Sequence, residues 1–175
     1  MKTRIRACAK LDGPVDLPPV SGFVESGFSP LLHHVAMTCM AGQDIPGDRL
    51  GVVLASLMGD ATTTDRASEL LVSGQVHNPL LFMQATANAV LGRLSTDLGI
   101  TGPLLALSTT DDPAGELLAA AELLLTVDGL DAVLTLAVEL TPNPRTARAH
   151  ALLGIDPPAH DVAVAQLLEP HPEET

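Results

Sequence analysis

The chain has 175 residues, of which 46% are hydrophobic and 17% charged, and its net charge is −12. This length fits one domain of ordinary size and is too short for two full ones. With 9 basic against 21 acidic residues, the composition argues against nucleic-acid binding, because phosphates need a basic patch, and against an anionic membrane surface. The three phenylalanines Phe23, Phe28 and Phe82 are the only aromatic residues, so platforms for stacking bases are missing as well.

The lack of a recognisable secretory signal and the low cysteine content predict a cytoplasmic protein. The first residues are basic but lack the apolar run of a secretory signal, and no apolar stretch is long enough to span a membrane. Cys8 and Cys39 are predicted to be reduced thiols. The apolar excess has two explanations that stay open at this point: an Ala- and Leu-rich composition, or an obligate interface that resembles a domain core cut in half.

Apolar periodicity and turn residues predict alternating strands and helices. In chain order these are strand Thr3–Leu11, helix Leu31–Ala41, strand Leu50–Met58, helix Ala67–Val72, helix Pro79–Leu98, strand Leu104–Leu107, helix Ala114–Leu125, strand Asp131–Leu140, a possible short helix near Arg145–Leu153 and strand Asp161–Leu168. The alternation predicts an α/β domain: a layered, mostly parallel sheet with helices on both faces. We expect one domain over residues 1–175, with a variable start at 1–30 and a frayed tail at 169–175.

Two helix starts carry recognisable capping residues. Thr62–Thr64 and Asp65 are predicted N-caps for the helix at Ala67–Val72. Asp112 is a predicted N-cap, and Pro113 suits the first position of the next helix. Capping therefore accounts for Asp112 without any chemistry. It accounts in part for Asp111, since carboxylates are stabilised near a helix N-terminus.

Other candidate motifs do not assemble into a catalytic or metal site. His33 and His34 are adjacent in a predicted helix, so they point in different directions and are expected to pack or face solvent. The histidines lack zinc-like spacing, no phosphate-binding glycine loop occurs, and neither cysteine has a basic neighbour that would mark a nucleophile. The sequence thus predicts neither a metal nor a cofactor.

The segment His77–Pro103 resembles the amino-terminal half of β-ketoacyl synthases, within the thiolase-like superfamily. The similarity extends more weakly over Asp48–Leu168 and includes the apolar runs Arg49–Gly59 and Asp131–Leu140. The residues that carry it are Pro79, Phe82, Asn88, Gly92, Gly99 and Gly102-Pro103. The resemblance implies one half of the thiolase-like fold.

Two departures from the family pattern separate this chain from active synthases. In those enzymes a nucleophilic Cys follows the Gly-Pro pair at a fixed spacing, and here that spacing falls on Thr109-Thr110-Asp111. Asp111 therefore occupies the nucleophile position, and a carboxylate does not replace a thiolate that must attack an acyl thioester. The histidine-bearing carboxyl-terminal half of the family also has no counterpart here. We therefore expect no condensation by this chain alone.

The resemblance implies a chain length factor, the cysteine-less subunit that pairs with an active ketosynthase and helps to shape its acyl tunnel. Such subunits serve type II polyketide, polyene or fatty-acid-like biosynthesis, with acyl carrier protein as an indirect partner. The tunnel-and-interface role is carried over to Pro79–Ser108 and the residue at the nucleophile position. The candidates are Phe82, Met83, Asn88, Leu91, Leu104, Leu105, Leu107, Ser108, Thr109 and Asp111.

The strand Leu104–Leu107 adds a physical argument for an interface. The family fold implies that it is an edge strand pairing across a dimer axis, and it is wholly apolar, so an uncovered edge would aggregate. A partner strand is a natural cover for such an edge. Further apolar surface is expected from Leu81, Met83, Val90, Leu91 and Leu94, unless these residues pack the domain's own core.

Two alternatives remain from the sequence. One is a stand-alone homodimeric pseudo-ketosynthase that binds an acyl chain or a regulator. The other is a small acyl-thioester hydrolase or decarboxylase that uses Asp111, Thr109 or Ser108, with His77 as a base brought near by folding. Charge adds one expectation: acyl carrier proteins are strongly acidic, so they should dock mainly on the ketosynthase and not on a subunit of charge −12.

Overall fold

The computed structural model describes residues 2–14, 16–75, 78–110, 112–126 and 129–171. Strands and helices alternate along most of the chain. In order they are β1 (Thr3–Asp12), α1 (Phe28–Met40), a 3-10 turn (Gly47–Arg49), β2 (Leu50–Ser56), α2 (Ala61–Val72), α3 (Pro79–Gln84), α4 (Asn88–Leu98), β3 (Leu104–Ser108), α5 (Pro113–Leu125), β4 (Ala132–Glu139), α6 (Pro144–Leu153) and β5 (Val162–Pro170).

The five strands form one sheet in the order β1-β5-β4-β2-β3. β2 pairs in parallel with β3 and β4, whereas β5 pairs antiparallel with both β4 and β1. Four strands therefore run in one direction and β5 runs against them. This confirms the predicted α/β layered sheet, although two of its four pairings are antiparallel because the single reversed strand lies between two others.

The seven residues of β2 are all buried, as expected for an apolar strand with both faces covered. Val52 and Leu54 face the main core, which α1 and α4 complete. Val53 and Ala55 face a smaller core formed with α5. Helices therefore cover both faces of the sheet, as predicted.

The two capping predictions have different outcomes. Asp112 caps α5 as expected: its Oδ1 accepts the N–H of Gly115 at 3.0 Å, and Pro113 is the first helical residue. The prediction for α2 was wrong, because this helix begins at Ala61 and Asp60 is its cap. The buried carboxylate of Asp60 accepts both the N–H of Thr63 at 3.0 Å and its hydroxyl at 2.8 Å.

The predicted helix Pro79–Leu98 is two helices, α3 and α4, separated by residues 85–87. The side chain of Gln84, the last residue of α3, is buried against the loop before α1. It accepts the N–H of Val24 at 2.9 Å and donates to the carbonyl of Val24 at 2.6 Å. This pair of hydrogen bonds fixes the end of α3 to a distant segment, which sequence periodicity does not register.

The carboxyl-terminal end differs from the prediction too. Glu169 and Pro170 are not frayed, since they extend β5 and pair with Arg4 and Thr3 of β1. Glu169 also forms an ion pair with Arg4 at 2.5 Å. Residues 172–175 of the predicted tail lie outside the described residues. No helix within the described ranges is long and apolar enough to cross a bilayer.

Gly102 allows the entry to β3 to approach the start of β2. A Cβ atom on Gly102 would lie 2.2 Å from the carbonyl oxygen of Leu50, closer than real contacts permit. The neighbouring carbonyl of Pro103 accepts the N–H of Val52 at 2.9 Å. Gly102 and Pro103 therefore help to set the register between β2 and β3.

Replacing Gly102 with alanine should destabilise the domain by about 2 kcal/mol, because backbone must shift to admit the methyl group. Gly92→Ala is the matched control: Gly92 lies in α4 with open space around it, so this change should stabilise by about 0.5–1 kcal/mol. Urea unfolding followed by circular dichroism measures both. Equal stability of the two variants would contradict the close approach.

Candidate functional site

The three parallel strands end in polar residues at one edge of the sheet. Ser56 is the last residue of β2, Ser108 the last of β3 and Glu139 the last of β4. Ser56 and Ser108 are direct neighbours in the parallel register. The carboxyl ends of parallel strands are where α/β domains commonly place binding sites, so these strand ends form the candidate site.

Glu139 is the most perturbed acid of this edge, and the sequence analysis did not single it out. Its carboxylate accepts the backbone N–H of Leu57 and thereby ties β4 to the turn that follows β2. Burial raises its pKa, and this outweighs the hydrogen bonds from Leu57 and Ser56 and the charge of His150, which lower it. The sequence feature that could have pointed to Glu139 is its position as the single acid at the end of an otherwise apolar strand.

His150 lies near this acid and is almost fully buried on α6. Its Nδ1 is 2.8 Å from the carbonyl oxygen of Thr146, which can only accept, so Nδ1 carries the proton. A cavity of about 10 Å³ lies between the turn after β2 and the start of α6 and has room for about one water molecule. Glu139 holds the turn after β2 through its hydrogen bond with Leu57, and His150 is bonded within α6.

The predicted nucleophile region sits between β3 and α5. Ser108 is exposed, whereas Thr109 is fully buried and its hydroxyl has no hydrogen-bond partner among the described residues. Asp111 and His77 lie outside the described residues, so the structure does not place the acid and base of the hydrolase alternative. Asp112, the neighbour of Asp111, is engaged in capping α5.

The tunnel candidates on α3 are strongly exposed. Phe82 is 82% and Met83 is 69% exposed, although both are large apolar side chains. A groove of about 210 Å³ separates α3 from α2, with Phe82 and Leu71 among its lining residues. We call this exposed apolar surface the α2–α3 patch; its members are Leu71, Val72, Leu80, Phe82 and Met83. Asn88 is exposed at the start of α4.

Four other residues expected to add apolar surface are in the interior instead. They are Leu81, Val90, Leu91 and Leu94, each no more than 3% exposed. Val90, Leu91 and Leu94 pack in the main core. For these residues the core alternative of the sequence analysis therefore holds, because α4 turns its apolar face towards α1 and the sheet.

β3 is the edge strand of the sheet. Its inner side pairs with β2, and no described strand pairs with its outer side. Leu104 and Leu105 are 40% and 36% exposed, and Leu107 is half-buried. The strand is therefore partly exposed at the edge of the sheet, as the resemblance implied.

The two cysteines and His33 lie on β1 and α1, away from the strand ends described above. Cys8 is exposed, whereas Cys39 is buried, and burial raises the pKa of the Cys39 thiol. His33 bonds Asp97 through Nε2 at 2.8 Å on the surface between α1 and α4. Within the described residues, no group of three or more His, Cys, Asp or Glu side chains could hold a metal ion.

Substitutions of Glu139 test whether its half-buried carboxylate stabilises the turn after β2. Glu139→Gln keeps an acceptor for Leu57 and carries no charge. The raised pKa means that wild-type stability falls as pH rises from the ordinary value for glutamate through the folded value. The Gln variant should therefore gain relative to wild type across that pH range. Glu139→Ala should lose about 1–3 kcal/mol, because the N–H of Leu57 loses its partner.

Unfolding in urea at a series of pH values measures both variants of Glu139. A Gln variant that becomes less stable than wild type with rising pH would contradict burial of an ionisable acid at this position.

The sequence matches a known family model, and the fold matches solved structures. The family model for the β-ketoacyl synthase N-terminal domain matches residues 36–159. Three solved structures have a similar fold. They are a ketosynthase (ApeO) in complex with its chain length factor (ApeC) from Xenorhabdus doucetiae (21% identity, TM-score 0.68), the ishigamide ketosynthase/chain length factor (14%, 0.71), and a β-ketoacyl synthase from Burkholderia phymatum STM815 (16%, 0.69).

These similarities cover most of this chain and about half of each neighbour. The matches span 85%, 89% and 92% of this chain, but 59%, 47% and 46% of the respective neighbours. No curated protein matches the sequence. At these identities the structural neighbours establish the thiolase-like fold alone. Since the family model covers well over half of the residues, this chain belongs to the β-ketoacyl synthase N-terminal domain family.

Proposed function

We propose that this protein is a non-catalytic partner subunit of a ketosynthase, similar to a chain length factor, that contributes to the acyl tunnel of type II polyketide, polyene or fatty-acid-like biosynthesis. The observation that carries the proposal is the exposed apolar edge strand β3 in a ketosynthase-type domain. Two of the structural neighbours contain a chain length factor together with its ketosynthase.

The physical case for a partner at β3 rests on its unpaired edge. A strand of this kind presents free N–H and C=O groups and aggregates unless charges, bulges or another element protect it. Leu104–Ser108 contains no charged residue, and its outer side has no partner among the described residues. A strand from a ketosynthase would satisfy the backbone groups and cover Leu104 and Leu105.

The case against catalysis rests on the nucleophile position. Asp111 stands there in the sequence, and a carboxylate is a poor nucleophile towards an acyl thioester. The hydroxyl of Thr109 is fully buried and cannot reach a substrate as the domain stands.

The tunnel role is proposed for the exposed candidate residues on α3, α4 and β3. Phe82 and Met83 offer large apolar side chains on α3, and the groove between α2 and α3 continues that surface. Asn88 on α4 and Ser108 on β3 are exposed polar candidates for the same role. Leu91 would act only indirectly, by supporting α4 from the core.

Leu104→Lys should weaken binding to the proposed ketosynthase partner by on the order of 100-fold, because a lysine ammonium would be desolvated against the partner strand. Leu152→Lys is the matched control, since Leu152 is 88% exposed on α6, away from β3. Both variants should fold with unchanged circular dichroism. Isothermal titration of the purified subunits measures the affinities, and wild-type affinity of Leu104→Lys would rule out β3 as the interface.

A charge-based prediction concerns acyl carrier protein. The carrier should bind the complex and the ketosynthase alone but not the isolated subunit, because a chain of charge −12 repels another acidic protein. Fluorescence anisotropy of a labelled carrier, at low and at physiological salt, compares the three. Binding to the isolated subunit as tight as to the complex would contradict indirect docking.

The main alternative is a homodimer that binds an acyl chain, with a second copy covering β3. The exposed apolar edge is compatible with it. Native mass spectrometry of the subunit with and without the ketosynthase separates the two, since a dimer that persists in the presence of ketosynthase favours the homodimer.

A further inference from the structure

The groove between α2 and α3, here called the α2–α3 groove, is lined mainly by apolar side chains. Its described lining residues are Ala67, Leu70, Leu71, Leu81, Phe82 and Ala85, together with the polar residues Thr64, Ser68 and Asn78. Leu81 is almost fully buried, whereas Leu71 and Phe82 are 68% and 82% exposed. No charged side chain is among these described residues, so the hydrogen-bonding state of the three polar residues decides what the groove can bind.

The two hydroxyl groups of the lining are already used inside α2. Thr64 Oγ1 donates to the carbonyl of Asp60 at 2.9 Å, and Ser68 Oγ donates to the carbonyl of Thr64 at 2.8 Å. Such bonds to the preceding turn are common for Ser and Thr within helices. Because a hydroxyl group has a single proton, neither residue has a donor left for a ligand.

Asn78 supplies polar groups at one end of the groove only, because it caps the start of α3. Its Oδ1 accepts the N–H of Leu80 at 3.0 Å, and its carbonyl accepts the N–H of Leu81 at 3.2 Å. Its side-chain N–H groups have no partner among the described residues. Side-chain donors are therefore confined to the Asn78 end, and the remainder of the lining offers apolar contact alone.

The size of the groove limits the ligand to a short length of chain. Its volume is about 210 Å³. An apolar cavity of about 150 Å³ binds benzene, so in proportion this groove has room for roughly eight carbon atoms.

Hydrocarbon chains and keto-bearing chains place different demands on such a lining. A keto oxygen can only accept hydrogen bonds, and its transfer from water to a place without a donor is unfavourable. Methylene and alkene carbons need no partner, and their burial is favourable. The lining therefore suits an acyl chain whose keto groups have been reduced, whether the chain is saturated or a polyene.

We propose that the α2–α3 groove binds the hydrocarbon end of a linear acyl chain and discriminates against a chain that retains its keto groups. The role of this groove within an acyl tunnel rests on the proposed function, and the inference narrows the substrate class of that function to reduced chains. A second copy of this chain is the poorer occupant, because a charge of −12 on each copy opposes association.

The isolated chain tests this proposal with neutral N-acetylcysteamine thioesters as probes. Isothermal titration of butanoyl, hexanoyl and octanoyl thioesters should show an affinity that rises about fourfold per methylene group, because each buried methylene adds apolar contact. The rise should level off beyond the octanoyl thioester. The 6-oxodecanoyl thioester should bind roughly 5- to 100-fold more weakly than the decanoyl thioester, because its keto group loses water without gaining a donor.

Variants locate the binding and test the role of donors. Ala67→Leu should fill the groove and weaken decanoyl binding about tenfold or more, whereas Ala151→Leu, the matched control on an exposed position of α6, should bind as wild type does. Leu71→Gln adds an amide donor to the lining and should reduce the preference for decanoyl over 6-oxodecanoyl. Circular dichroism checks that the three variants fold.

Several results would overturn the proposal: no binding, an affinity that does not depend on chain length, equal binding of the decanoyl and 6-oxodecanoyl thioesters, or wild-type binding by Ala67→Leu. Sedimentation that shows a ligand-free dimer, dissociated by Ala67→Leu, would make a second copy the occupant and overturn it as well. Ketosynthase binding is measured separately. Loss of the hydrocarbon preference with intact ketosynthase binding overturns this inference alone, and the reverse result overturns the proposed function alone.

Discussion

The buried strand β2 is the constraint on which the rest of the structure depends. Each of its side chains must find an apolar neighbour, and each backbone group must be paired, because neither face and neither edge reaches water. β4 satisfies one edge and β3 the other, while α1 and α4 cover one face and α5 the other. Gly102 and Pro103 belong to the same constraint, since the chain can enter β3 only by passing close to the carbonyl of Leu50.

The polar residues at the ends of these strands solve a local problem of the same kind. The chain must turn sharply after β2, and the turn leaves backbone donors near an apolar interior. Glu139 accepts one of them from the adjacent strand, Ser56 accepts the N–H of Gly59 at 2.9 Å, and Asp60 starts α2. Partial burial of the Glu139 carboxylate disfavours its charged form, and this raises its pKa. The raised pKa therefore has a structural explanation.

What the domain leaves uncovered is as informative as its core. β3 presents an apolar edge, and the α2–α3 patch presents exposed apolar helices. A groove lined by Ile5, Leu118 and Val164 presents an apolar sheet face beside α5. The three surfaces account for the apolar excess of the composition better than a general Ala and Leu bias does, because they are localised and formed by large side chains. The chain spans about half the length of two of the solved structures that it matches.

Much of the architecture follows from short-range chemistry in the sequence. The apolar runs of β2 and β4, the cap formed by Asp112 and Pro113, and the alternation of strands with helices are local, so periodicity and turn residues determine them. The break after Gln84, the cap of α2 by Asp60 and the pairing of Glu169 depend on contacts between distant segments. Only the tertiary structure decided which leucines are core and which are surface: Leu91 and Phe82 are both apolar residues of one predicted helix. Their burial depends on which side of that segment meets the sheet, and that is a property of packing rather than of either side chain.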